Sequence, residues 1–200
     1  FDIDESGLVK ILLDDFNEGS VLQAANKFDN DFFDKIIVSI GILHNEDFMP
    51  EKRIEEISSD QFLEIIRINT LVPTLIARSF YKKLKKNDKS TLAFLSARVG
   101  SITDNRSGGW YSYRASKAAL NMVIKNLSIE LRRYNKESVV IGLHPGTVDS
   151  RLSQPFQKNL EDSKIFSADF SVLKLSSVID SLDIDDSGKC IAWDGEDILP

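Results

Sequence analysis

Apolar residues along this chain follow two rhythms. Continuous apolar, partly β-branched runs at 35–40, 91–96 and 138–143 have the composition of strands buried on both faces of a parallel sheet. Shorter runs at 8–13, ending at Asp14-Asp15, and at 189–193 predict a first and a last strand. Between them the spacing turns helical. Ser20 can cap a helix carrying Val21, Leu22, Ala24, Ala25 and Phe28 as one stripe. A long helix is predicted from Ser59 or Asp60 to about Leu84, kinked at Pro73. Another spans 113–133, with apolar residues at 115, 118, 119, 122, 123, 127 and 131. A last helix spans 171–182. Strands alternating with helices imply an α/β chain whose parallel sheet is covered on both faces.

Length and composition narrow this further. Two hundred residues without a repeat, low-complexity tract or linker fit a single domain over 1–200. A net charge of −6 and a pI near 5.0 argue against a nucleic-acid surface and leave a small molecule as the expected partner. One cysteine, Cys190, excludes an intrachain disulfide, and no apolar run approaches a membrane span, so a cytoplasmic protein is expected. His44 and His144 are isolated, so no metal site is expected. Small and polar residues gather where strands end: Asp14, Gly41, Ser96 and Pro145-Gly146. In open α/β sheets ligands bind beyond the carboxyl ends of the strands, so these loops mark the expected site.

The chemistry centres on Tyr113 and Lys117. Spaced i, i+4 on a helix, the phenol and the ammonium share a face. A phenol titrating near pH 10 is a weak acid–base group at neutrality, and a nearby ammonium is expected to pull that value down. The pair could then pass a proton to a carbonyl oxygen.

The surrounding residues resemble the short-chain dehydrogenase/reductase family. Tyr113-Arg-Ala-Ser-Lys117-Ala-Ala-Leu-Asn121 resembles its active-site helix, and Asn69 the helix asparagine that holds a proton-relay water. His144-Pro145-Gly146-Thr147-Val148 resembles the turn beside the nicotinamide, and Leu13-Asp14 the strand end that touches adenine. Gly41-Ile-Leu-His44, Ala97-Arg98-Val99-Gly100-Ser101 and Gly108-Gly109-Trp110-Tyr111-Ser112 are similar to the C-factor and sniffer-like carbonyl-reductase branch. The resemblance implies a Rossmann-like doubly wound sheet and NAD- or NADP-dependent hydride transfer between nicotinamide and a carbonyl or alcohol. It implies Tyr113 as acid/base, Lys117 on the ribose, Asn69 on a relay water, and Gly41, Pro145, Gly146 and Val148 against the cofactor. It also implies a homodimer or homotetramer paired through helices 60–84 and 113–133.

The family pattern is departed from in three places. Its catalytic serine falls on Ala97, leaving Ser96 or Ser101 as alternatives and a non-catalytic role for both equally open. Val38-Ser39-Ile40-Gly41 replaces an Asn-Asn-Ala-Gly segment, so a less rigid cofactor floor is expected. The family's first βαβ segment, with its glycine-rich phosphate loop, is absent. The chain begins just before what would be a third strand, which two missing strands, spanning about 10 Å, should separate from the fourth. Residues before Phe1 are therefore expected to supply the phosphate site. A signalling or binding protein on the same fold, with weak turnover or none, is the competing function.

Overall fold

The computed structural model describes residues 8, 10–13, 15–28, 32–133 and 135–200, the side chains of residues 159 and 162 excepted. In chain order the main elements are α1 (Glu18–Asn26), β1 (Lys35–Val38), α2 (Ser59–Ile66), α3 (Val72–Phe80), β2 (Ser90–Leu95), α4 (Tyr111–Leu131), β3 (Ser138–His144), β4 (Thr147–Val148), β5 (Ile165–Phe166), α5 (Ala168–Ser181) and β6 (Cys190–Ala192). Four strands form one parallel sheet in the order β1-β2-β3-β6. Strands β4 and β5 make a separate parallel pair.

The period of two along each strand decides which layer a side chain joins. Val38, Leu92, Phe94 and Val140 point to one face, where Ala77 of α3 and Leu120, Ile124 and Leu131 of α4 cover them. Ala93, Val139, Ile141, Leu143 and Ile191 point to the other, under Leu175, Val178 and Ile179 of α5. The sheet is thus sandwiched between helices, the doubly wound parallel arrangement expected from the alternating elements. No helix among the described residues is long and apolar enough to cross a membrane.

Three local expectations are corrected. Residues 10–13 are not in a strand, and residues 9 and 14 lie outside the described residues. A strand exists by pairing, and β1 at the sheet edge is bonded to β2 rather than to this run. The first helix begins earlier than its apolar stripe, because Asn17 and not Ser20 is the cap: Asn17 Oδ1 accepts from the Ser20 N–H at 3.0 Å. The long helix is broken not by a proline kink but by a π-helical turn, Arg67–Leu71, joining α2 to α3. Pro73 follows the π-helical turn, at the start of α3, and supplies no N–H to the preceding turn.

Beyond β2 the chain turns back through a short 3-10 turn, Arg98–Gly100, against α4. A methyl group on Gly100 would lie 2.8 Å from Lys117 Cβ and 2.9 Å from the Lys117 carbonyl carbon. Backbone-to-helix contact this close admits no side chain. Gly100→Ala is expected to lower the unfolding free energy by roughly 2 kcal/mol, as overpacked sites do, read as a reduced urea midpoint.

Candidate active site

Lys117 lies one helical turn along α4 from Tyr113, at the carboxyl end of β2. Both side chains are buried, and Lys117 Nζ stands 5.8 Å from the centre of the Tyr113 ring. The ammonium donates to the Leu95 carbonyl at 2.9 Å; its other two N–H bonds have no acceptor among the described residues. Gly41 closes the same space from β1: a Cβ there would stand 3.4 Å from Lys117 Nζ and 3.5 Å from Asn69 Oδ1.

Asn69 projects from the π-helical turn and is fully buried. Its Oδ1 accepts from the Ile42 N–H at 2.7 Å, while its Nδ2 donates to the Ile42 carbonyl at 2.8 Å and to Ser116 Oγ at 3.0 Å. Ser116 Oγ donates in turn to the Tyr113 carbonyl at 2.7 Å, and Thr70 Oγ1 donates to the Ser116 carbonyl at 2.8 Å. One carboxamide therefore ties the loop after β1 to α4. These bonds reach Ile42, just past the 38–41 segment for which the sequence predicts a less rigid floor. Ser116 was not among the sequence candidates, although its place just before Lys117 was the available signal.

The electrostatics reverse one expectation. Burial pushes the Tyr113 phenol up to about 12, where the sequence reading expected the lysine to lower it. Burial also pushes the Lys117 ammonium down to about 8, partly opposed by the Cys190 sulfur. Loss of hydration disfavours both charged forms, and an ammonium directed at a carbonyl does not outweigh it at the phenol. Tyr113 is consequently a protonated donor throughout the neutral range.

Both candidate serines have hydrogen-bond partners. Ser96 Oγ donates to Asn121 Oδ1 at 2.6 Å, and Ser101 Oγ accepts from the Asp104 N–H at 3.0 Å. Ala97, Leu43 and Tyr113 form one buried apolar cluster, with Val99, Trp110 and Phe156 packed on it. A methyl group, not a hydroxyl, thus belongs to the cluster around the phenol. Trp110 meets Tyr113 edge-on at 6.1 Å and Phe156 at 4.9 Å.

Beyond β3 the turn is secured from below. Ser171 Oγ donates to the Pro145 carbonyl at 3.0 Å, Val148 pairs with Phe166, and Gly146 holds φ +76° with Phe166 beneath it. Phe166 and Phe170 pack with Trp193, whereas Phe156 joins the cluster around Tyr113. Burial, with Arg98 nearby, pushes His144 down to about 4, and its Nδ1 is buried without a partner among the described residues. His44 Nε2 lies 3.1 Å from the Arg151 carbonyl. Burial pushes the Cys190 thiol up to about 11. Asp14 lies outside the described residues.

The buried lysine gives a signature independent of turnover. Its folded value of about 8 lies below the ordinary 10.5, so between those two values the unfolded chain holds the proton that the folded chain has released. Stability gains from this group as pH rises from about 8 to 10.5, and below about 8 the charged form costs up to about 3 kcal/mol. Lys117→Met is expected to be more stable than the parent at pH 7, with the advantage shrinking by pH 10; paired urea titrations read the difference.

Comparison with known proteins agrees with this geometry. The family model for short chain dehydrogenases matches residues 18–161. C-signal of Myxococcus xanthus is 33% identical over 131 residues, which are 66% of this chain and 74% of that protein. Against further curated relatives the chain spans between 50% and 65% of their length. Among solved structures, the carbonyl reductase Sniffer of D. melanogaster superposes with a TM-score of 0.80 at 23% identity, covering 96% of this chain and 77% of that one. The NADPH-bound carbonyl reductase from chicken fatty liver superposes with a TM-score of 0.77 at 25% identity, covering 92% and 74%. With a family model matched from α1 to beyond β4 and a curated relative of 33% identity, the chain belongs to the short-chain dehydrogenase family.

Proposed function

We propose that this protein is an NAD- or NADP-dependent oxidoreductase that moves a hydride between nicotinamide and a carbonyl or alcohol, with Tyr113 as the acid/base. The observation that carries the reading is a buried, protonated phenol flanked by a lysine with two uncommitted N–H donors. The family and the NADPH-bound relative of similar fold support the cofactor class.

The residues present fit such a cofactor. Gly41 leaves its backbone open toward Lys117 and Asn69, the two spare Lys117 donors suit a vicinal diol, and Pro145, Gly146 and Val148 form a fixed turn at the neighbouring strand end. A bound nicotinamide would supply the hydride; the protein supplies position and protons. In the reducing direction Tyr113 gives its proton to the carbonyl oxygen as charge develops there. Lys117 holds the cofactor's sugar hydroxyls and offsets the phenolate that results. Asn69 keeps the loop after β1 fixed and lies beside the route by which Tyr113 regains a proton. Ala97, Leu43, Trp110 and Phe156 give the pocket an apolar wall, which suits a hydrophobic carbonyl substrate. Ser96 donates its proton to Asn121 and Ser101 only accepts, so in this reading Tyr113 orients the carbonyl oxygen, with Ser101 as the alternative hydroxyl. Assembly as a homodimer or homotetramer through α2, α3 and α4 belongs to the same proposal.

Ala97 also favours a second reading, a signalling protein of this fold with slow turnover, in line with the name of the Myxococcus relative. Tyr113→Phe tests the first, and loss of reduction with intact signalling output would favour the second. The substitution is expected to abolish reduction of a hydrophobic diketone such as benzil by at least roughly a hundredfold while NADPH affinity, followed by fluorescence titration, stays within a few-fold. Unchanged reduction would refute the acid/base assignment. In the parent, reduction is expected to decline as pH rises through about 8, where Lys117 loses its charge, well before Tyr113 ionises near 12. Lys117→Arg should move that decline to higher pH, seen in kcat/KM profiles.

A further inference from the structure

The geometry points to Glu51 as the residue that positions Tyr113, by capping the helix that carries it. This rests on the acid/base reading of Tyr113. Glu51 is 1% exposed, yet it forms no ion pair among the described residues. Its carboxylate faces the first turn of α4 instead: Ser112 Oγ donates to Oε1 at 2.6 Å and the Ser112 N–H donates to Oε2 at 3.3 Å. The Glu51 carbonyl accepts from the Trp110 N–H.

Helix α4 needs an external cap. The residue before it, Trp110, has φ 52° and ψ 44°, and its side chain makes no capping bond. Gly108 and Gly109 precede it at φ +63° each, so three successive residues are left-handed. For a residue with a Cβ that conformation costs about 1–2 kcal/mol and persists where its surroundings impose it. A Cβ on Gly109 would meet the Glu51 carbonyl at 3.4 Å and the Lys52 carbonyl at 3.6 Å, so the segment around Glu51 lies directly against this entry. A negative charge here also meets the positive end of a 21-residue helix and satisfies donors that the helix leaves unpaired. Tyr113 follows Ser112 directly, and Trp110, pinned through its N–H, meets the phenol edge-on. The strap at 51–52 therefore sets where the phenol stands relative to Lys117 and the apolar wall, without touching a reacting atom.

The test compares Glu51→Ala, Glu51→Gln and Tyr113→Phe for benzil reduction with NADPH, together with amide exchange by mass spectrometry. Glutamine keeps an acceptor for the Ser112 N–H and loses the charge, which guards against a variant that fails to fold. Glu51→Ala is expected to lower kcat by roughly 30- to 100-fold, the scale of a small misplacement of a reacting group, with KM within threefold. Glu51→Gln should recover most of that loss. Exchange should rise in peptides covering 108–114 and stay unchanged in those covering 120–131. An unchanged kcat in Glu51→Ala beside an inactive Tyr113→Phe would overturn the positioning role and leave the acid/base reading intact. A uniform rise in exchange, with the folded fraction keeping parental kcat and KM, would overturn it equally, since Glu51 would then be a general stabiliser. An active Tyr113→Phe would sink the acid/base reading and with it the role of Glu51 in turnover; exchange confined to 108–114 would then mark a helix cap alone.

Discussion

The carboxamide of Asn69 is the joint on which the site depends. It completes both backbone hydrogen-bonding positions of Ile42 and bonds Ser116 as well. Three segments far apart in the chain, the loop after β1, the π-helical turn and α4, are thereby fixed to one another in a place without water contact. A buried amide of this kind is costly when half satisfied and rigidifying when complete. Its geometry explains why the helix between Ser59 and Phe80 is not continuous. Inserting one residue into the turn at Arg67–Leu71 changes the angular position of everything that follows, and that is how Asn69 faces the sheet while α3 still presents Ala77 and Leu75 to the core.

Around that joint, burial sets the chemistry. Tyr113 and Lys117 are surrounded by apolar and hydrogen-bonded groups that disfavour charge on either. A lysine held in such a place is destabilising while it is charged, which is the usual mark of a group retained for something other than the fold. The contrast with Glu51 is instructive. Its charge is equally hidden, but helix α4 supplies the complementary end of a dipole and two donors.

Much of this was legible in the sequence. The three long apolar runs became β1, β2 and β3, and α4 followed from its stripe; β2 and β3 are buried as that composition implies, whereas β1 lies at the sheet edge with Ile37 exposed. Tyr113, Lys117, Asn69, Gly41 and the turn at Pro145-Gly146 are picked out by resemblance to family motifs, and the structure brings Lys117 beside Tyr113, Gly41 and Asn69. What escaped was whatever depends on distant partners. The run at 10–13 has strand composition, but composition supplies no neighbour to pair with. Ser96 and Ser101 read alike in sequence, yet Ser96 donates to Asn121 while Ser101 accepts from the Asp104 N–H, a difference only distant partners reveal. The rise of the Tyr113 value could not be foreseen, since burial of a phenol beside an amine is a tertiary property. Glu51 reads in sequence as one more surface acid, and its partner stands 61 positions away.

The π-helical turn carries one further consequence. It is an α-helix with a surplus residue, and the regular structure lies a single deletion away. Removing one position between Arg67 and Leu71 would restore the α-helical repeat but leave Pro73 inside an unbroken helix, with no N–H for the ladder, while swinging Asn69 off the sheet. The same bulge that accommodates Pro73 therefore also aims Asn69 at Ile42 and Ser116.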